Sequence, residues 1–232
     1  MYLFWDIDGT LLVTDRAGIF AWEDALRDVL GVEADLSSFD TAGYPDFGIA
    51  KRLLVHYGGD HDPRPELVQQ LVARYEDHLP GALPRRSGRV LPNVREILTT
   101  LEQEPAIRSM LLTGNTRRGA QAKLLHYGLA QFFDGGAYSD DAGERVAIAR
   151  RAIEHARASG PPSEPGRVFV VGDTPHDIDC AKAIGARTVA VATGPYSVAT
   201  LASEGAWRVL PQLPPPGEFL ALLQHDEVAA DA

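Results

Sequence analysis

Asp6 and Asp8 stand one residue apart at the end of an apolar run, Met1-Tyr2-Leu3-Phe4-Trp5, with Gly9 and Thr10 directly behind them. A run of that length suits a buried strand. In an extended chain residues i and i+2 share a face, so both carboxylates can aim at one point. Two acids held that close repel each other, and a cation, or a proton kept by one of them, relieves the repulsion. This is the arrangement of a site rather than of a stabilising feature. Further strand ends repeat it. After Met110-Leu111-Leu112 comes Thr113-Gly114-Asn115, where a hydroxyl and a free N–H beside glycine can bind phosphate oxygens at the start of a helix. After Phe169-Val170-Val171 comes Gly172-Asp173-Thr174-Pro175-His176-Asp177, and Asp173 and Asp177 can both turn back toward the sheet edge.

The elements that must position these groups alternate. Besides the opening run, strands are expected over Arg108 to Leu112, Arg167 to Val171, Thr188 to Ala192 and Trp207 to Leu210. Helices are expected over Val94 to Glu104, Arg117 to His126, Arg145 to Ala158 and Ile178 to Ile184, with a short one over Glu218 to Gln224. Strands alternating with helices imply an α/β fold with a parallel sheet covered on both faces. Ligands then bind beyond the carboxyl ends of the strands. Residues 14 to 86 interrupt the alternation with three helical stretches, Ile19 to Leu30, Gly48 to His56 and Pro65 to His78. They read as a helical insert, 14–86, with 1–13 and 87–232 forming the core domain. A turn is expected at Asp60 to Pro65, a Pro-rich loop at 160–166 and a frayed tail at 225–232.

The chain has 232 residues, enough for one large domain carrying an insert. Its formal net charge is −10, a field that repels nucleic acid and anionic membranes. The same field repels a phosphorylated substrate, so a phosphate site needs local cations. One cysteine, Cys180, excludes an intrachain disulfide. With no long apolar run and no basic-then-apolar leader, a cytoplasmic location is expected.

Asp6-Ile7-Asp8-Gly9-Thr10, Leu112-Thr113-Gly114-Asn115 and Gly172-Asp173-Thr174-Pro175-His176-Asp177 resemble motifs one, two and four of the haloacid dehalogenase superfamily, mostly magnesium-dependent phosphatases. The resemblance spans roughly residues 1 to 210. It implies a Rossmann-like, doubly wound sheet with an α-helical cap inserted between the first motif and the second. The subgroup likeness is to phosphoglycolate phosphatase and β-phosphoglucomutase relatives, supported by Gly185-Ala186-Arg187-Thr188 and Val191-Ala192-Thr193-Gly194. By position, the resemblance makes Asp6 the nucleophile and Asp8 the general acid and base. It makes Asp6, the backbone carbonyl of Asp8, Asp173 and Asp177 the ligands of Mg²⁺, with Thr113, Gly114 and Asn115 on the phosphoryl group. The implied substrate is a small phosphorylated metabolite, and the implied state is a monomer or homodimer. A phosphomutase shares every one of these core residues. A phosphate-binding module without catalysis is a third reading. Dehalogenation is disfavoured, because that chemistry has no leaving alcohol for Asp8 to protonate.

Charge counting adds one requirement. Asp6, Asp173 and Asp177 sum to −3, Mg²⁺ returns +2, and a phosphate monoester adds about −2. Each uncompensated pair costs roughly 4 kcal/mol at an effective dielectric near 20. Relatives supply a lysine at their third motif. Here the corresponding segment reads Tyr138-Ser139-Asp140-Asp141-Ala142-Gly143-Glu144-Arg145-Val146, without one. Arg145 is the expected replacement, since a guanidinium can bridge phosphate and carboxylate. Lys123 is the second candidate for that cation, but, two turns into a helix, it is expected to face outward. In the insert, Phe39 to Phe47 resembles the substrate loop of such caps. Gly43 and Asp46 match, while Tyr44 and Pro45 stand where relatives often carry Lys-Thr, which weighs against a small carboxylated substrate.

Overall fold

The computed structural model describes residues 1–59, 61–140, 144–159 and 167–224. The loop expected at 160–166, the tail at 225–232, Asp60 of the expected turn and residues 141–143 of the third-motif segment lie outside the described residues.

The chain opens with β1 (Tyr2–Trp5) and β2 (Leu12–Val13), then α1 (Gly18–Leu30), α2 (Asp46–Gly58) and α3 (Pro65–Ala82). It returns through β3 (Arg89–Val90) to α4 (Val94–Glu102), β4 (Arg108–Leu112), α5 (Arg117–His126), β5 (Gly136–Ala137) and α6 (Arg145–Ser159). The remainder is β6 (Val168–Gly172), α7 (Pro175–Ala183), β7 (Arg187–Val191), α8 (Val198–Ser203), β8 (Arg208–Leu210) and α9 (Pro216–Gln224). Six strands form a parallel sheet in the order β5-β4-β1-β6-β7-β8. The order reverses around β1, and that reversal opens a crevice at the carboxyl edge of the sheet.

Strand alternation explains why both faces are covered. Leu3 and Trp5 of β1 join the cluster that holds α4 and α9 residues such as Ile97 and Phe219. Tyr2 and Phe4, pointing the other way, join Ile148, Ala152 and Cys180 of α6 and α7. Trp5 is fully buried, packs 5.6 Å from the Phe219 ring and donates from Nε1 to Ser109 Oγ.

The five strands expected from the sequence are present. Two features were not anticipated. β5 is a two-residue edge strand, Gly136-Ala137, with no apolar run to announce it. A Cβ at Gly136 would overlap the Leu111 carbonyl, so glycine permits the close pairing. The pair β2–β3 is antiparallel, Leu12 opposite Val90 and Val13 opposite Arg89, and ties together the chain leaving for α1 and the chain returning from α3. α1 and α3 pack against each other through stacked rings, Trp22 and Tyr75, with centroids 3.9 Å apart. α7 begins at Pro175, three residues before the expected start. Proline is favoured in the first helical turn, and the side chain of Asp177 caps the helix by accepting from Thr174 N.

Candidate active site

The register of β1 with β6 pairs Trp5 with Val171, so the residues that follow, Asp6 and Gly172-Asp173, emerge side by side. Asp6 N continues the ladder to Val171 O at 3.0 Å. One turn into α7, Asp177 folds back: its Oδ2 accepts from Thr174 N at 3.0 Å and Thr174 Oγ1 at 2.7 Å. Asp6, Asp173 and Asp177 each offer an oxygen within 4.8 Å of the others, and all three are buried. Thr10 Oγ1 donates to Asp173 at 3.3 Å. Glycines make room for these acids. A Cβ at Gly9 or Gly194 would overlap the Asp173 carboxylate, and one at Gly172 would overlap Asp177; Gly9 also has a φ of +81°. Thr193 Oγ1 donates to Gly9 O at 2.5 Å, so the loop after β7 closes the cradle. From sequence, that loop showed only a family likeness.

Burial pushes the Asp6 carboxyl up to about 7, against the pull of Arg145, with Asp177 and Asp8 adding to the rise. Asp173 is raised in the same direction, by burial and then by Asp177 and Asp6. The set is short of positive charge as it stands. Three hard oxygens with no His or Cys among them fit a hard divalent cation and not zinc.

Arg145, at the start of α6, lies among the acids as expected. Its Nη1 is 3.4 Å from Asp6 Oδ1 and its Nη2 3.0 Å from Asp177 Oδ1. The residue is 8% exposed, and Cys180 Sγ donates to its carbonyl at 3.3 Å, pinning the start of α6 to α7. Burial works against the guanidinium, yet Asp177 and Asp6 hold it above its ordinary value.

Lys123 corrects the sequence expectation. It does not face outward: it is 6% exposed, and Nζ lies 2.6 Å from Asp8 Oδ2 and 2.6 Å from Asn115 Oδ1. The inward face of α5 is Gly119, Ala120, Lys123 and Leu124. The small pair lets the helix approach, and the lysine one turn further on reaches under the sheet edge. That small-residue face was the available signal. Burial works against the ammonium too, but Asp8 and Asp46 raise it above its usual value. Asn115 Nδ2 donates to Asp8 Oδ2 at 2.9 Å and to Thr113 Oγ1 at 2.8 Å, so the second-motif residues meet the first at Asp8.

Above these groups lies a cavity of about 430 Å³, bounded below by Asp6, Asp8 and Thr113 and above by Ile19, Trp22 and Tyr44 of the insert. The segment before α2 sits directly on the core. Asp46 N donates to Gly114 O at 2.8 Å, and Asp46 Oδ2 accepts from Thr116 N at 2.8 Å. A Cβ on Gly114 would stand 3.1 Å from Pro45, and one on Gly43 would press on His176. Tyr44 stacks beneath the Arg52 guanidinium at 4.1 Å. Asp46 is buried, and desolvation pushes its carboxyl up to about 7 in spite of Lys123. Lys51, by contrast, is exposed and 3.6 Å from Asp62.

A parallel sheet with acids at its carboxyl edge and a helical insert above them defines a class, and comparison identifies it. Residues 3–182 match the model of the haloacid dehalogenase-like hydrolases, and the chain belongs to that family. It is 27% identical over 203 residues to a phosphoglycolate phosphatase of Mesorhizobium japonicum, covering 83% of this chain and 82% of that one. Its fold is similar to that of CbbY from Rhodobacter sphaeroides in complex with phosphate, with a TM-score of 0.70, 19% identity and coverage of 91% and 93%. A haloacid dehalogenase-like hydrolase of Streptococcus pneumoniae gives a TM-score of 0.67 at 20% identity, covering 97% and 98%. Among the described residues no helix is long and apolar enough to cross a membrane.

Proposed function

We propose that this hydrolase is a Mg²⁺-dependent phosphatase of small phosphomonoesters, working in the cytoplasm through an aspartyl-phosphate. The observation that carries the reading is the meeting of Asp6, Asp173 and Asp177 within 4.8 Å, with Asp8 one residue away on the same cavity. Asp6, Asp173, Asp177 and the backbone carbonyl of Asp8 would hold Mg²⁺. The ion would supply charge neutralisation for a dianionic phosphoryl group beside carboxylates.

An Asp6 oxygen attacks phosphorus in line as the bond to the leaving oxygen breaks, and Asp8 gives that oxygen its proton. Asp8, now a carboxylate, takes a proton from water. The resulting hydroxide attacks the phosphorus of aspartyl-phosphate, and the Asp6 carboxylate leaves. Thr113 and Gly114 orient the equatorial oxygens. Arg145 supplies the fixed positive charge that relatives take from a lysine, and two carboxylates hold it in place. Residues 14–86 act as the cap: seated on Gly114 and Thr116 through Asp46, they exclude water and shape the leaving-group pocket. With Tyr44-Pro45 where relatives often carry Lys-Thr, the substrate loop offers no lysine for a carboxylate, which weighs against phosphoglycolate.

Phosphate release from a metabolite panel, with and without Mg²⁺, tests this. Hydrolysis that requires Mg²⁺ and disappears in Asp6→Asn is expected. Turnover unchanged in that variant would remove Asp6 as nucleophile. Isomerised rather than hydrolysed sugar phosphates would transfer the site to a phosphomutase.

A further inference from the structure

We infer that Lys123 is a positioning residue for the leaving-group step, fixing the Asp8 carboxylate from beneath while Asn115 fixes it from the side. This rests on the phosphatase reading above. Both donors converge on one oxygen, Asp8 Oδ2: Nζ of Lys123 at 2.6 Å and Nδ2 of Asn115 at 2.9 Å. Lys123 Nζ also donates to Asn115 Oδ1 at 2.6 Å, closing a three-membered ring of hydrogen bonds. Among the described residues the other oxygen, Oδ1, takes no hydrogen bond, and it is the one left to exchange a proton with a leaving alcohol or a water. The side chain of Asp8 is 43% exposed and that of Lys123 only 7%. The half-exposed, cavity-facing carboxylate is therefore held by a buried ammonium. Asp8 lies beyond the end of β1, where its backbone makes an isolated bridge to Leu12. Lys123 sits on α5, whose N-terminus is fixed by Thr116, whose side chain accepts from Gly119 N at 3.0 Å. The anchor belongs to the core and not to the insert, so it is in place whatever the substrate.

An acid that is held in line matters in proportion to how badly the leaving group needs its proton. The test uses two probes, p-nitrophenyl phosphate, whose phenolate leaves without a proton, and phenyl phosphate, whose phenolate does not leave readily. In Lys123→Met, kcat/KM for phenyl phosphate, which reports the phosphorylation step alone, is expected to fall about 100-fold, with kcat/KM for p-nitrophenyl phosphate within about threefold of wild type. Lys123→Arg, which keeps a charged donor, should restore at least part of the phenyl phosphate rate. In an Asp8→Asn background, Lys123→Met should add almost nothing. Equal losses of kcat/KM for both esters would mean a merely structural role and overturn the proposal. A raised KM with kcat intact would mean that Lys123 binds phosphate directly, and would overturn it as well. Lys123→Leu, which likewise removes the donor, repeats the comparison if the methionine variant does not fold. Failure of the wild type to hydrolyse either ester would instead overturn the phosphatase reading itself.

Discussion

Replacing Arg145 with methionine removes the one cation that touches both Asp6 and Asp177 among the described residues. Its Nη1 and Nη2 stand 3.4 and 3.0 Å from those carboxylates, and the side chain is 8% exposed. Removing one partner of a buried ion pair typically costs about 3–5 kcal/mol, because the remaining charge is left uncompensated. Here two carboxylates lose their partner beside a third, Asp173. The metal-free variant should accordingly lose about 3–5 kcal/mol of stability at pH 8. The loss should shrink at pH 5.5, where Asp6, already pushed up to about 7, takes up a proton and relieves the repulsion itself. Saturating Mg²⁺ should raise the melting temperature of the variant more than that of wild type, since the ion meets a larger deficit of positive charge. For turnover, losing one fixed cation at a developing phosphoryl charge corresponds to a fall of about 10²–10³ in kcat. Arg145→Lys should recover part of it, because an ammonium is a point charge that cannot serve both acids bidentately. Urea denaturation with and without Mg²⁺ gives the first quantity and continuous phosphate release the second. A folded Arg145→Met enzyme within threefold of wild-type kcat would refute the assignment of the missing lysine's role to this residue.

Three other perturbations follow from the same geometry. Asp6→Asn should abolish Mg²⁺-dependent phosphate release and raise the melting temperature of the metal-free protein, since it deletes a carboxylate that burial and its neighbours disfavour; a lower melting temperature would contradict this. Gly194→Ala should cost Mg²⁺-dependent activity at least 100-fold while the circular dichroism stays unchanged, because its methyl group overlaps the Asp173 carboxylate. Asp46 binds its proton more tightly folded than unfolded, with burial raising it from 3.8 to about 7. The stability it confers is complete below pH 4 and is lost as pH rises toward 7, up to about 4 kcal/mol. Asp46→Asn should therefore flatten the pH dependence of unfolding between pH 4 and 7, and a variant whose profile parallels wild type would count against the buried-acid account of this cap–core contact.

Much of the site was legible from local chemistry. A strand whose residues alternate between two buried faces must be apolar throughout, so Leu3-Phe4-Trp5 announces a central strand. An acid pair directly after it has nowhere to point except the sheet edge. The same reasoning located Thr113-Gly114-Asn115 and Asp173 through Asp177, and charge counting required a cation near Arg145. The cradle glycines were less visible. Gly194 lies far along the chain from Asp173, and nothing local reveals that one must lack a Cβ for the other to fit. Lys123 was read in the wrong direction. A lysine on a helix is solvated by default, and its inward turn is decided by Asp8 and Asn115, which reach it from the segment after β1 and from the loop after β4. β5 left no pattern either, since backbone pairing with Leu111 and Leu112 makes it a strand. By itself, then, the sequence determined the strands, the acids and the family, because hydrophobic runs and short motifs are properties of neighbours along the chain. The tertiary structure alone decided which cation meets which carboxylate and which glycine yields space, because those depend on distances between segments that share no local signal.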